Sequence, residues 1–226
     1  MGKQLPPLFI TLDGIDGTGK TTLAYHLDEK LTQYGYKVNR VPMLGSGKLG
    51  SILRDKILNT NSLTASEETL YMATSIIETM RETVPKLLKE NNAVILDRYL
   101  SSFYAYQFRS KDDPLAGTIY ANLLKEGYFD IIPDWFIFTS CEPQIAEDRI
   151  NKRQNLINQN NNFDLFDENR KALIRKYMAH YFQRSIVPKR TLFNTDDTLT
   201  KCKQRMTRQV KNFLNTFWSN PDDVGG

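Results

Sequence analysis

The chain of 226 residues is 40% hydrophobic, 25% charged and 11% aromatic, an ordinary globular balance that excludes disorder, collagen and coiled coil. It is long enough to bury an α/β core without disulfides, no run approaches the ~18 apolar residues of a membrane helix, and no charged-then-apolar leader opens it. A net charge of +4 with a pI near 8.9 suits an anionic small molecule, and without an arginine–lysine block it does not suggest nucleic acid. Cys141 and Cys202 have no metal-ligand spacing and read as free thiols, and His26 and His180 stand apart, which argues against a histidine zinc site. The expectation is a soluble, cytoplasmic protein without a membrane partner.

Residues 8–12 (LFITL) form the first apolar run of strand length, without the polar alternation of a half-exposed sheet. A helix is expected over 21–34, with Leu23, Leu27, Leu31 and Tyr34 on one face and Gly35 as its C-cap. A weaker strand follows at 37–41. Thr64-Ala65-Ser66-Glu67 is a capping box opening a helix to about residue 90, with a kink or break at Pro85. Residues 93–96 (AVIL) read as the third strand, 101–109 and 115–125 as helices, and 135–138 (WFIF) as the fourth strand. A helix over 143–153 leads into 155–162 (NLINQNNN), polar, uncharged and unable to pack a core, hence a mobile loop. Helices over 167–186 and 199–217 flank a weak fifth strand at 190–193, and the tail 220–226 is expected to fray. Strands alternating with helices imply a three-layer α/β/α fold around a five-stranded parallel sheet, one domain over 1–226.

The chemistry begins at Gly14-Ile15-Asp16-Gly17-Thr18-Gly19-Lys20-Thr21, which matches G-x-x-x-x-G-K-[ST] between an apolar strand and an amphipathic helix. Glycines let the backbone wrap an anion so that successive N–H groups face phosphate oxygens, and the helix N-terminus adds its dipole. Lys20 reaches the β and γ phosphates and the Thr21 hydroxyl holds magnesium, so ATP and Mg²⁺ are the expected cofactors of this P-loop. No N-K-x-D for guanine occurs. Asp97 directly follows the third strand, where a P-loop enzyme holds the water shell of its metal. Arg98, next to it, is a fork suited to a second phosphate, or else one half of a strand-end ion pair.

With these motifs the chain resembles the thymidylate kinases, P-loop enzymes that phosphorylate dTMP, over roughly residues 9–211. Three segments carry the likeness: LDGIDGTGKTT at 12–22, DRYLSSFYAYQ at 97–107, which is similar to the family's D-R-x-x-x-S-x-x-A-Y-Q, and Glu142-Pro143 through Arg153. The resemblance implies ATP contacts from Gly14, Asp16, Gly17, Thr18, Gly19, Lys20, Thr21, Thr22 and Arg149. It implies dTMP contacts from Asp16, Arg54, Tyr71, Arg98, Ser102, Tyr106 and Gln107, with the Tyr106 ring filling the space of a ribose 2′-hydroxyl. Lys20, Arg98, Arg149 and Arg153 would be catalytic, and Thr21 and Asp97 would hold magnesium. The alternative for Phe103 and Tyr104 is an aromatic face packed into core, and for Arg149 and Arg153, which share a helix face, a solvated basic face. The family's arginine just after the loop acid is replaced by Gly17, and members lacking it use arginines of a mobile lid, here about 149–166. Homodimers are implied as well.

Three departures from the family follow, two on the acceptor side and the last in the lid. The segment after the second strand, 41–47 (VPMLGSG), lacks the family's acid, and Ser75 stands four residues after Tyr71 where an arginine would read thymine. Arg81 is out of register for that role. The family's D-R-x-E appears as Asp164-Leu165-Phe166-Asp167. The leading reading is transfer of the ATP γ-phosphoryl group to dTMP. The alternatives are a kinase for another, even modified, deoxynucleoside monophosphate and, more remotely, a nucleic-acid-binding ATPase.

Overall fold

The three apolar runs and the two weaker strands form one parallel sheet. In the computed structural model, which describes residues 5–60, 63–109, 113–157 and 167–219, the strands are β1 (Leu8–Asp13), β2 (Val38–Pro42), β3 (Ala93–Asp97), β4 (Trp135–Ser140) and β5 (Lys189–Asn194). Their order is β2-β3-β1-β4-β5. β1 is central, with Phe9 opposite Val94 of β3 and Thr11 opposite Phe136 of β4. All six residues of β1 are buried, whereas β2 and β5, at the edges, carry exposed polar residues such as Arg40 and Arg190. Lysine and arginine on an edge strand discourage pairing with another chain.

Alternation along β1 divides the core. Leu8, Ile10 and Leu12 point to a face covered by α1 (Lys20–Gln33) and α9 (Leu199–Ser219), through Leu23, Leu27, Leu31, Met206, Val210 and Phe213. Phe9 points the other way, with Val94 and Leu96, to α3 (Ala65–Glu78) and α5 (Leu100–Gln107). The remaining helices are α2 (Gly50–Asn59), α4 (Val84–Lys89), α6 (Pro114–Lys125), α7 (Pro143–Ile157) and α8 (Glu168–Arg184). α8 covers Phe136 and Phe138 of β4 through Ile174 and Met178. Among the described residues no helix is long and apolar enough to cross a membrane.

Three sequence expectations need correction. α2 was not anticipated: it has ten residues and its N-cap, Leu49, offers no side-chain acceptor. The capping box at Thr64 is present, but the helix it opens does not break at Pro85. A π-helical turn, Thr79–Thr83, absorbs the missing donor, and Pro85 falls in the first turn of α4, where its N–H is not required. α7 extends to Ile157, so the expected loop begins as helix, and its remainder, 158–162, lies outside the described residues with the tail 220–226.

Because every strand runs the same way, Asp13, Pro42, Asp97, Ser140 and Asn194 end at one edge of the sheet. The order reverses at β1, and the crevice beyond it is where such sheets bind ligands. At the opposite edge, Asp134 donates its N–H to the Phe9 carbonyl at 2.8 Å, and its Oδ2 accepts the Phe9 N–H at 2.7 Å. Burial outweighs these bonds and lifts the carboxyl from 3.8 to about 6. A raised carboxyl favours folding below the unfolded value, and that contribution is lost as pH rises through about 6. It amounts to about 3 kcal/mol at most, and less because the group is only partly buried. Asp134→Asn keeps an acceptor for Phe9. The variant is expected to be more stable than the parent at pH 8 and equal to it near pH 4, measured as urea midpoints at the two pH values.

Candidate active site

Residues 14–19 leave β1 as a tight loop and deliver the chain into α1. Gly14 has φ +143°, and a Cβ there would lie 2.3 Å from Thr139 Oγ1. Gly17 has φ +79°, and a Cβ there would lie 2.3 Å from the Ala146 carbonyl oxygen at the start of α7. Neither position admits a side chain. Thr18 is buried and turned inward, its hydroxyl donating to the Ile15 carbonyl at 2.7 Å and meeting Thr139 Oγ1 at 2.7 Å, so its side chain holds the loop shape. Gly19 caps α1 without a side-chain bond, which leaves the first N–H groups of the helix for a ligand.

The loop is joined to the β3 end by a residue to which sequence analysis gave no role, Asp13. It is fully buried. Oδ1 accepts from the Gly14 N–H at 2.8 Å and the Ser102 hydroxyl at 2.7 Å, and Oδ2 accepts from the Tyr99 N–H at 3.1 Å and the Ser101 hydroxyl. Its signal was available, since an acid directly after a buried strand and before the loop glycine has to find donors. Arg98 lies between these bonds with φ +73°, a left-handed conformation that is rare outside glycine. Its guanidinium donates to the Gly14 carbonyl at 3.2 Å, the Ser102 hydroxyl at 3.1 Å and Asp16 Oδ1 at 2.6 Å. It lies 5.1 Å from the centre of the Tyr106 ring, and the Tyr106 hydroxyl donates to Asp16 Oδ2 at 3.2 Å. Lys20 is buried, with Nζ donating to the Ile15 carbonyl at 2.7 Å and lying 3.8 Å from Asp16 Oδ1.

These charges tune one another. Burial alone would raise the Asp16 carboxyl, but Arg98, then Lys20 and Arg153, with the Tyr106 hydroxyl, more than offset it and hold the group at about 2. Burial, then the neighbouring Arg98, pushes Lys20 down, against the pull of Asp16, Asp97 and Asp13. Arg98 is held above its usual range despite burial, by Tyr106, Asp16, Asp13 and Asp97.

On the other side, α7 and the segment after β5 close the loop. Arg149 donates to the Gly17 carbonyl at 3.3 Å, to Thr195 Oγ1 at 3.0 Å and to the Thr195 carbonyl at 2.7 Å, while the Thr195 hydroxyl donates to the Thr18 carbonyl at 3.0 Å. Thr195 was missed because the strand before it is a weak edge strand. Arg153, one turn further, is exposed at the rim of the same cavity. The cavity measures about 570 Å³ and also takes in Asp16, Gly17, Gly19, Lys20, Thr21, Thr22, Asp97, Arg98, Ser102, Tyr106, Arg54 and Arg149. Asp97 Oδ1 is buried without a hydrogen-bond partner among the described residues, and Thr21 is exposed at the same cavity. A hydroxyl and a free carboxylate oxygen are a donor set that fits magnesium, which takes few protein ligands beside phosphates and water.

Two expected acceptor residues are not at the cavity. Gln107 is fully buried, its amide accepting from Thr69 Oγ1 at 3.0 Å and donating to Glu68 at 3.2 Å, so it ties α5 to α3. Tyr71 packs against the apolar cluster beneath α3, and Ser75 is buried with its hydroxyl on the Met43 carbonyl at 3.0 Å. The cavity instead meets Met72 and Ile76, with Met43, Leu44 and Leu58. Arg54 reaches this wall with its guanidinium on the Leu44 carbonyl at 3.0 Å. The expected lid segment from 158 to 166, including the departure at 164–166, lies outside the described residues.

Residues 12–198 match the family model described as thymidylate kinase. The chain belongs to the thymidylate kinase family. A probable thymidylate kinase of Archaeoglobus fulgidus is 31% identical over 211 residues, covering 92% of this chain and 97% of the relative. A thymidylate kinase of Mycoplasmopsis agalactiae is 36% identical over 151 residues, 64% of this chain and 68% of the relative. The crystal structure of thymidylate kinase from Ehrlichia chaffeensis superposes with a TM-score of 0.67 at 19% identity, covering 92% of this chain and 99% of that one, which establishes the likeness of fold.

The close approach of Gly17 to Ala146 leaves no room for a side chain at this place. Gly17→Arg is expected to lower the melting temperature by several degrees and not to restore turnover to an Arg153→Ala background, because the backbone of α7 would have to move. Thermal denaturation and steady-state kinetics of the single and double variants check this.

Proposed function

We propose that the chain transfers the γ-phosphoryl group of ATP to dTMP, giving dTDP, as a single kinase domain. The observation that carries the reading, beside the family itself, is the convergence of two anion-binding groups on one cavity: the loop with Lys20, and Arg98 across from it. The loop N–H groups and Lys20 take the triphosphate. Arg98 takes the acceptor phosphate, exchanging Asp16 for it, and Ser102 and Tyr106 line the deoxyribose side. Arg149 and Arg153 supply the countercharge that Gly17 lacks. Transfer is then a matter of alignment and charge neutralisation. Thr21 and Asp97 would hold Mg²⁺, which neutralises phosphate charge when bound.

A homodimer is part of this reading, on the strength of the family alone. The free thiols Cys141 and Cys202 suit the cytoplasm, and nucleotides rather than nucleic acids are the partners.

ATP turnover measured with each of the deoxynucleoside monophosphates tests the reading: stimulation is expected with dTMP above the others, and no stimulation by any of them overturns it. Arg98→Ala is expected to raise the KM for dTMP at least about tenfold and to lower kcat, with little change in ATP binding by calorimetry. Arg153→Ala is expected to lower kcat by about a hundredfold with the KM for dTMP nearly unchanged. A loss below about 1 kcal/mol that fades with salt would assign Arg153 to the solvated surface.

A further inference from the structure

We propose that Arg170 of α8 is a positioning residue for the acceptor side: it fastens the carboxyl end of α5 and thereby keeps Tyr106 against Asp16 and Arg98. The inference rests on the kinase reading above.

α5 has eight residues, fewer than a helix needs to persist by itself, so its end contacts decide its shape. At its N-terminus the Asp13 carboxylate accepts from Tyr99, Ser101 and Ser102. At its C-terminus, where helix carbonyls have no partner of their own, Arg170 donates Nη2 to the Tyr106 carbonyl and Nη1 to the Phe108 carbonyl at 3.1 Å. An anion at one end and a cation at the other both oppose the helix dipole. The planar fork spans two carbonyls, which a lysine ammonium does not do in the same geometry. Arg170 is partly buried beside Glu68, which also accepts from Gln107 and from Arg109 at 2.7 Å. α8 itself is seated on α5 by Tyr177 and Tyr181, 5.4 and 6.5 Å from Tyr104.

Tyr106 is thus held twice, by its carbonyl on Arg170 and by its hydroxyl on Asp16. Without Arg170 two carbonyls turn to water, the last turn of α5 loosens, and the ring beside Arg98 loses its fixed place. The far side of the loop is held separately, by Arg149 on the Gly17 carbonyl and Thr195 on the Thr18 carbonyl.

The test compares the parent with Arg170→Ala, Arg170→Lys, Tyr106→Phe and the Arg170→Ala/Tyr106→Phe double variant. Arg170→Ala is expected to raise the KM for dTMP about tenfold and to leave the KM for ATP within about twofold, with Arg170→Lys between it and the parent. The double variant should be no more than about twofold worse than the worse single one, because both changes act through Tyr106. Amide exchange in the parent and in Arg170→Ala, without nucleotide, should quicken over 104–108 and stay unchanged in α1. Equal rises in both KM values, multiplying effects in the double variant, or unchanged exchange over 104–108 overturn the proposal. If Arg170→Ala does not fold, Arg170→Lys carries the same comparisons. If the parent turns over no monophosphate, the kinase reading fails, and the exchange measurement still decides whether Arg170 holds α5.

Discussion

The buried carboxylate of Asp13 has to be met by donors, and meeting them shapes the whole edge of the sheet. Taking an unpaired carboxylate out of water costs several kcal/mol, and four hydrogen bonds, all to a charged acceptor, offset this here. The donors come from the phosphate loop on one side and from the β3–α5 junction on the other, so one side chain fixes the distance between two segments that are more than eighty residues apart in sequence. The parallel order makes this possible by ending β1 and β3 side by side. It also explains how Arg98 stays in a left-handed conformation that costs on the order of 1–3 kcal/mol. Its N–H is held by the Leu12 carbonyl at 2.9 Å and the next N–H by Asp13, so the backbone on both sides is fixed and the guanidinium is aimed into the cavity.

Three cations of the site rest on oxygens of the protein itself: Lys20 on Ile15 and Asp16, Arg98 on Asp16 and Gly14, Arg149 on Gly17 and Thr195. Several positive groups in so small a space would repel and move apart without such partners. The arrangement keeps them in place before any nucleotide arrives, which is the preorganisation that electrostatic catalysis requires. Asp16, held at about 2, remains a carboxylate across the physiological range and pairs with the Arg98 guanidinium at 2.6 Å.

The parts of this structure that were legible in the sequence are those set by local pattern. The glycine spacing, the apolar runs and the capping box are each contained in a few residues, and each appears where the chain places it. α2 carried no capping acceptor, and the long helix through Pro85 survives by a π-turn that no residue type announces. The acceptor wall was harder for a different reason. Resemblance locates a residue along a helix but not around it, and adjacent helical residues point about 100° apart. Gln107 therefore fell into the core and Tyr71 lies half-buried against it, while their neighbours Tyr106 and Met72 reached the cavity. Asp13 was visible as an acid, but its four partners lie either beside it or across the sheet, and only the fold assembles them.

The two walls of the cavity are built by different elements. One consists of α1, α7 and the segment after β5, bound together by Thr195 and Arg149. The other consists of α2, α3, α5 and the segment after β2, bound together by Ser75, Gln107 and Arg54. They meet at Asp16. Its carboxylate is pulled down by Arg98 from one wall and by Lys20 and Arg153 from the other, so a single group senses the cations of both. An anion that draws Arg98 away relaxes part of that pull and frees Asp16 toward Lys20, and an anion that draws Lys20 away does the reverse. The two walls thus share one counterion, Asp16, 2.6 Å from Arg98 and 3.8 Å from Lys20.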